Sequence, residues 1–301
     1  MLTKPNDFRY LSLCSGIGGF ELAITRASHT SGQTNPVCLG YSETNKYAIT
    51  IYKKHFNHPY LGRLEDIYNV PHQDTDLICA GFPCQPFSVA GRHGGFSDKR
   101  ASVFFEITRI IEQVRPRFLL LDYVPGLLSQ ERGKTFTVIL SILDDLRYDL
   151  QWQVLNSKHF GVPQNRQRVF IIGHLRGTTR PDVFPITSPG QELVGTRVDE
   201  GHQQATKPAR MSINKPYHQH YRVYDTKAVS PTILSRRAPF IKTKTKIRKL
   251  TPVECERLQG FPDDWTKGIS HIQRHMAIGN AVTVPVVEHI IAKLLATALP
   301  P

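Results

Sequence analysis

The chain has 301 residues, of which 40% are hydrophobic and 21% charged, a globular balance that excludes a polar disordered protein. No unbroken apolar run approaches the roughly 20 residues of a spanning helix, and the opening MLTKPNDFRY lacks the basic start and apolar core of a secretion signal, so a cytoplasmic protein without membrane contact is expected. Lysine and arginine total 38 against 25 acids, a formal charge of +13, which favours a polyanionic partner because phosphate contacts release counterions.

In chain order, residues 8–14 (FRYLSLC) predict a short buried strand running straight into Ser15-Gly16-Ile17-Gly18-Gly19 and then a helix. Strand, glycine turn and helix in that order open a nucleotide-binding α/β unit. A second strand, VCLGYSE, ends at Glu43, and a helix from about Lys46 to His55 follows. Strand 76–83 delivers the loop Pro83-Cys84-Gln85-Pro86. Over 101–114, Val103, Phe104, Ile107, Ile110, Ile111 and Val114 share one helical face. RFLLLDYV is another buried strand, stopped by Pro125-Gly126, and VFIIGHLRG (169–177) is apolar again. Strands alternating with helices imply a mostly parallel sheet covered on both faces, with ligands outside the carboxyl ends of its strands. Gly16, Glu43, Cys84 and Asp122 all fall at such ends.

From 175 to 249 apolar periodicity is weak and polar and basic residues dominate, with Tyr217, Tyr221 and Tyr224 set among histidine and arginine. That composition predicts a small nucleic-acid-reading domain rather than a linker. The expected organisation is residues 1–174 for catalysis and cofactor, 175–249 for target recognition, and 250–301 returning to the first domain through LTPVECERLQGFPDDW and a final helix from about Val286 to Ala298. Cys14, Cys38, Cys79, Cys84 and Cys255 are odd in number and nowhere spaced as a zinc site, so neither a metal nor a disulfide framework is expected. Cys84, held between prolines at a strand end, is the thiol most exposed to the crevice, whereas Cys79 reads as a buried strand residue.

The segments SLCSGIGGFELA, YSETNKYA, EDI, GFPCQPFS, DYVPGLL, QNRQRVFIIG, LTPVECERLQGFP and MAIGNAVTVPV resemble, in order, the motifs of DNA cytosine carbon-5 methyltransferases. The resemblance implies a Rossmann-like, S-adenosylmethionine-dependent methyltransferase fold with a smaller target-recognition domain, acting on duplex DNA at a short specific sequence. It implies that Cys84 adds to carbon-6 of a flipped cytosine, that Asp122 replaces the acid serving ring N3, and that Arg166 and Arg168 surround the base. It further implies that the turn Ser15, Gly16, Ile17, Gly18 and Gly19 lies under the cofactor. Glu43 then meets the ribose, Asp66 and Ile67 the adenine, Asn280 the methionine end, and Tyr123 stands beside the transferred group.

The chain departs from that family at two places. Asp122-Tyr123-Val124 stands where the family has Glu-Asn-Val, and Cys14 stands where it has an aromatic residue beside the adenine. Three readings follow: an ordinary methyltransferase adjusted to a shorter acid, a re-tuned pocket transferring a larger group such as carboxymethyl from carboxy-S-adenosylmethionine, or a catalytically weak DNA binder. A dinucleotide-dependent hydrogen-transfer enzyme fits the glycine turn and Glu43 but gives the Pro-Cys-Gln-Pro loop no role. An RNA-directed methyltransferase shares the motifs, and the long variable block before LTPVECERLQGFP favours DNA. A monomer, bacterial or phage-encoded, with a cognate restriction endonuclease acting on the same site, completes the expectation.

Overall fold

The computed structural model describes residues 7–32, 34–68, 74–81, 102–186, 223–225, 229–234, 238–243 and 246–298. Cys84 and its loop, with Tyr217 and Tyr221, lie outside the described residues.

The chain runs β1 (Asp7–Leu13), α1 (Gly19–Ser31), β2 (Asn35–Ser42), α2 (Lys46–His55), β3 (Leu77–Gly81), α3 (Ser102–Val114), β4 (Phe118–Tyr123), α4 (Lys134–Asp145), β5 (Tyr148–Asn156). It continues with β6 (Gln164–Asn165), β7 (Gln167–Leu175), β8 (Val223–Asp225), β9 (Ser230–Pro231), β10 (Phe240–Lys242), β11 (Ile247–Lys249), α5 (Pro252–Gln259), α6 (His271–Asn280) and α7 (Val284–Ala298). Six strands form the main sheet in the order β2-β1-β3-β4-β7-β5. The first four are parallel, and β7 is antiparallel to both β4 and β5.

Alternation along each strand sorts the core into two layers, because successive side chains of a strand leave opposite faces. Phe8 and Tyr10 of β1, Cys79 of β3, Phe118 and Leu120 of β4, and Phe170 and Ile172 of β7 pack under α1, α2 and α7. Leu11, Leu13, Ile78, Ala80, Leu119, Leu121, Val169 and Ile171 pack under α3 and α4. Strands covered on both faces carry near-continuous apolar runs, and β4 is buried along its whole length.

Residues 252–298 return to the first layer, where α7 lies along α1. Within residues 271–296 an 18-residue window reaches a mean hydropathy of 1.4, apolar enough to span a bilayer. Those residues are divided between α6 and α7, and 67% of the apolar window is buried in the fold. That burial is the pattern of core helices. Between 223 and 249, β8, β10 and β11 form a separate small sheet, and β9 pairs with β6 just before Arg166.

Candidate active site

The site is built at the carboxyl ends of β1, β2, β3 and β4. After Leu13 the backbone turns through Cys14 and Gly16 at φ 54° and 58°, and Gly18 at φ 86° leads into α1. Gly18 tolerates that conformation without a Cβ, and a Cβ there would also meet the Phe56 ring at 2.4 Å. Ser15 N–H donates to the Ser42 carbonyl at 2.9 Å and Gly18 N–H to the Ser15 carbonyl at 3.1 Å, which fixes the turn against β2. Glu43 accepts from Gly16 N–H at 2.8 Å through one oxygen and from Thr44 and Asn45 N–H, each at 2.8 Å, through the other. Glu43 therefore bridges the glycine turn and the start of α2, whose cap is the Asn45 side chain. Ile17 is buried, and no described atom lies within 4 Å of a Cβ placed on Gly16.

Asp66 ends a short helical turn at Leu64–Asp66, and Ile67 caps it. Ile67 is buried and Asp66 exposed, and Arg109 from α3 donates to the Leu64 and Ile67 carbonyls at 2.9 Å each. Cys14 is half-buried, and burial, with Glu43 and Glu65 adding, pushes its thiol up to about 12.

Asp122 continues the Phe118–Leu120 face of β4 and pairs in register with Gly81, the last described residue before the Cys84 loop. It is 7% exposed, and burial raises its carboxyl above the usual aspartate range against the opposing pull of Arg168 and then Arg166. Its Oδ1 has no hydrogen-bond partner among the described residues. Arg168 Nε stands 3.9 Å away, beyond hydrogen-bond range. A buried carboxyl oxygen without a donor, held near a cation but not bonded to it, is the kind of group an entering ligand satisfies.

The structure separates the two arginines. Arg168 faces Asp122. Arg166 is 2% exposed and donates to the carbonyls of Ile233 at 3.2 Å, Gly279 at 3.3 Å and Ala281 at 2.9 Å. Burial, with Arg168 adding, brings its guanidinium down to about 9, partly offset by Asp122. Two of those carbonyls flank Asn280, which is exposed at the end of α6. Val282, just beyond, packs on the glycine turn and on β3, since a Cβ on Gly19 would meet it at 2.7 Å and one on Gly81 at 3.6 Å. The glycine turn, Glu43, Asp122, Arg168 and the Asn280 segment thus gather at one end of the sheet.

Tyr123 sits elsewhere. It is 1% exposed among Leu13, Leu121, Leu127 and Val169 in the layer under α3 and α4, on the opposite face from Asp122.

Several residues of this region escape a reading of the sequence. Gln164 donates to Gln259 Oε1 at 3.0 Å, Thr283 donates to the same oxygen at 2.7 Å, and Gln259 donates to the Ile278 and Ala281 carbonyls. Trp265 Nε1 donates to the Ile17 carbonyl at 2.9 Å. A glutamine gives no sign in sequence of whether it is buried; the tryptophan at the end of GFPDDW was the available signal.

Sheet order, glycine turn and acidic strand end define the class: an α/β enzyme with the fold of S-adenosylmethionine-dependent methyltransferases. A family described as C-5 cytosine-specific DNA methylase matches residues 8–208 and 185–296. The Type II methyltransferase M1.ScrFI of Lactococcus lactis subsp. cremoris is 32% identical over 316 residues, spanning 97% of this chain and 79% of its own. The Type II methyltransferase M.HhaI of Haemophilus parahaemolyticus is 30% identical, spanning 94% and 92%. The crystal structure of S. pombe Dnmt2 methyltransferase superposes at TM-score 0.71 with 20% identity, covering 96% of this chain and 98% of that one, a likeness of fold. The chain belongs to the C-5 cytosine-specific DNA methylase family.

Proposed function

We propose that this protein methylates carbon-5 of a cytosine turned out of duplex DNA at a short specific sequence, with Cys84 as the nucleophile and S-adenosylmethionine as the donor. The observation that carries the reading is Asp122: a buried carboxyl with one oxygen unpartnered among the described residues, in register with the strand end that precedes Cys84. The base must leave the helix, because carbon-6 is out of reach inside the stack.

The described residues fit the donor. Glu43, at the end of β2, uses three amide donors where a carboxylate has about four acceptor sites, leaving room for a ribose hydroxyl. No described residue comes within 4 Å of a Cβ placed on Gly16. In this reading Ser15, Gly16, Ile17, Gly18 and Gly19 form the floor, Asp66 and Ile67 meet the adenine, and Asn280 meets the methionine end. S-adenosylmethionine supplies an electrophilic methyl carried on a sulfonium.

Carbon-5 of cytosine is a weak nucleophile until carbon-6 is saturated. The Cys84 thiolate forms a bond to carbon-6, and the ring electrons move toward N3, where Asp122 donates a proton or a hydrogen bond. Its raised proton affinity suits that task. Carbon-5 then takes the methyl, with the electrons of the broken bond left on the donor sulfur as a neutral thioether, and loses its proton to a base as the bond from carbon-6 to Cys84 breaks to return the thiolate; the proton on N3 goes back to Asp122. Arg168, 3.9 Å from Asp122, supplies positive charge beside the electron-rich ring. Arg166 acts at one remove, holding the carbonyls on either side of Asn280.

Tyr123 lends no support to transfer of a larger group, since its ring is enclosed on the far side of β4. We further infer a monomeric, cytoplasmic enzyme of bacterial or phage origin, with residues 175–249 reading the site and a restriction endonuclease sharing it. The test is mass spectrometry of nucleosides from duplex DNA incubated with the enzyme and S-adenosylmethionine. 5-Methylcytosine is expected; its absence, or a heavier adduct only with carboxy-S-adenosylmethionine, would overturn the reading.

A further inference from the structure

The floor of the donor site is held by a residue far away in sequence. Within the turn, Gly16 N–H is taken by Glu43 and Gly18 N–H by the Ser15 carbonyl. The Ile17 carbonyl lies between them, and its donor is the indole N–H of Trp265, 248 residues further along the chain, at 2.9 Å.

The indole is itself held in place. Its ring stacks on His55 with centroids 3.6 Å apart and planes within 6°, and His55 Nε2 donates to the Trp265 carbonyl at 2.8 Å. Phe261 lies 5.5 Å away on one side and Phe56 5.9 Å away on another. Phe56 is also the ring against Gly18. His55 ends α2, the helix that starts just after Glu43. One indole therefore joins the glycine turn, the helix anchored beside Glu43, and the returning C-terminal segment. We infer that Trp265 is a positioning residue for donor binding, setting the Ile17 carbonyl and with it the floor of the turn. The inference rests on the reading of that turn as the S-adenosylmethionine site.

Phenylalanine at 265 keeps an aromatic face for His55 while removing the N–H donor together with the smaller ring that carries it. Loss of one buried hydrogen bond predicts that Trp265→Phe raises the Kd for S-adenosylmethionine by about five- to tenfold in calorimetry on the full chain. The Kd for a mixed-sequence DNA duplex at low salt should stay within about twofold, because the turn makes no part of the DNA-reading segment. Unchanged donor affinity, or equal losses for donor and DNA, would overturn the inference. If Trp265→Phe does not fold, Trp152→Phe provides a second measurement, since the chain has 2 tryptophans and Trp265 is then the sole emitter. Its emission should change saturably with S-adenosylmethionine at the calorimetric Kd, and a flat titration would contradict the proposal. Failure of the unsubstituted protein to bind the donor at all would instead remove the proposed function, and this inference with it.

Discussion

Asp122 and Tyr123 are neighbours in sequence that the strand sends to opposite faces, and substitution should affect them differently. Asp122→Asn keeps the shape and removes the proposed proton donor, so turnover should fall by about 10²-fold or more, within the range of general-acid contributions. The sign of the pH effect follows from burial. Because the folded carboxyl holds its proton to higher pH than an ordinary aspartate, the donating form persists upward and is lost as pH rises through that raised value. The wild-type profile of kcat/KM should therefore descend on the alkaline side, and the same limb should be missing from Asp122→Asn. A limb of equal position in both proteins would assign it to another group. Asp122→Glu restores the methylene typical of the family and is expected to raise methyl transfer, read by the rate of tritium incorporation from labelled donor. Tyr123→Asn, by contrast, exchanges a ring that is 1% exposed for a polar amide in an apolar layer. It should cost about 3 kcal/mol or more of stability by chemical denaturation, from lost packing and the burial of a polar amide. The family difference at 123 therefore belongs to the core, a conclusion inaccessible from sequence because the motif alone does not say which face each residue takes.

Between elements, the two arginines of Gln-Asn-Arg-Gln-Arg make a paired prediction. Arg166, between β6 and β7, ties that link to the segment around Ile233 and to the end of α6 through three carbonyls. Arg166→Met would strand those acceptors in a buried site, at about 1–3 kcal/mol for an unsatisfied group, and should lower the denaturation midpoint clearly. Arg168→Met touches no such network and should leave the midpoint nearly unchanged while depressing turnover. The reverse pattern would contradict the division of roles. Sequence places both in one motif, and only the paths of the β9 and α6 segments reveal that one faces Asp122 and the other the C-terminal return. Element positions were more legible. The helix expected over Lys46–His55 has those bounds, because Asn45 caps it and the apolar spacing is regular. Strand β1 lies within a residue of its predicted apolar run at each end, β4 is shorter than its run by one residue at each end, and β3 begins one residue later than its run. α4, β5 and α6 were not anticipated. β5 is a half-buried edge strand whose QWQ centre breaks the apolar pattern, and α6 carries histidine and arginine along its length.

At the scale of the whole molecule, a buried acid behind the donor turn sets a pH dependence of stability. Glu21 on α1 is 0% exposed, accepts from the Tyr52 hydroxyl at 2.9 Å, and is pushed up to about 7 by burial. Tyr52 also meets His58 Nδ1 at 2.9 Å, whose imidazole is lowered by burial. The sign is that of an acid whose folded value exceeds its unfolded one: its contribution is complete below about pH 4.5, declines as pH rises, and is lost above about pH 7. Glu21→Gln removes the ionisable proton and should stabilise the protein at pH 8 by roughly 1–3 kcal/mol while changing little at pH 5, measured by urea denaturation at both values. Equal effects at the two pH values would place the proton elsewhere. The mostly parallel sheet and the convergence of Gly16, Glu43 and Asp122 at its carboxyl end were readable from motif order. The buried polar groups beneath them were not, because their burial depends on what the last 50 residues fold against.

The central claim is that sulfur from Cys84 bonds to carbon-6 of an extruded cytosine. It is tested most directly with duplex DNA in which 5-fluorocytosine replaces cytosine at the methylated position, incubated with enzyme and S-adenosylmethionine. Fluorine cannot leave as a proton does, so the final elimination fails and the adduct persists. Intact-mass and peptide mapping should find the methylated fluoropyrimidine joined to the peptide that contains Cys84, and Cys84→Ser should abolish it. Attachment at another cysteine, or persistent adduct formation by Cys84→Ser, would contradict the account.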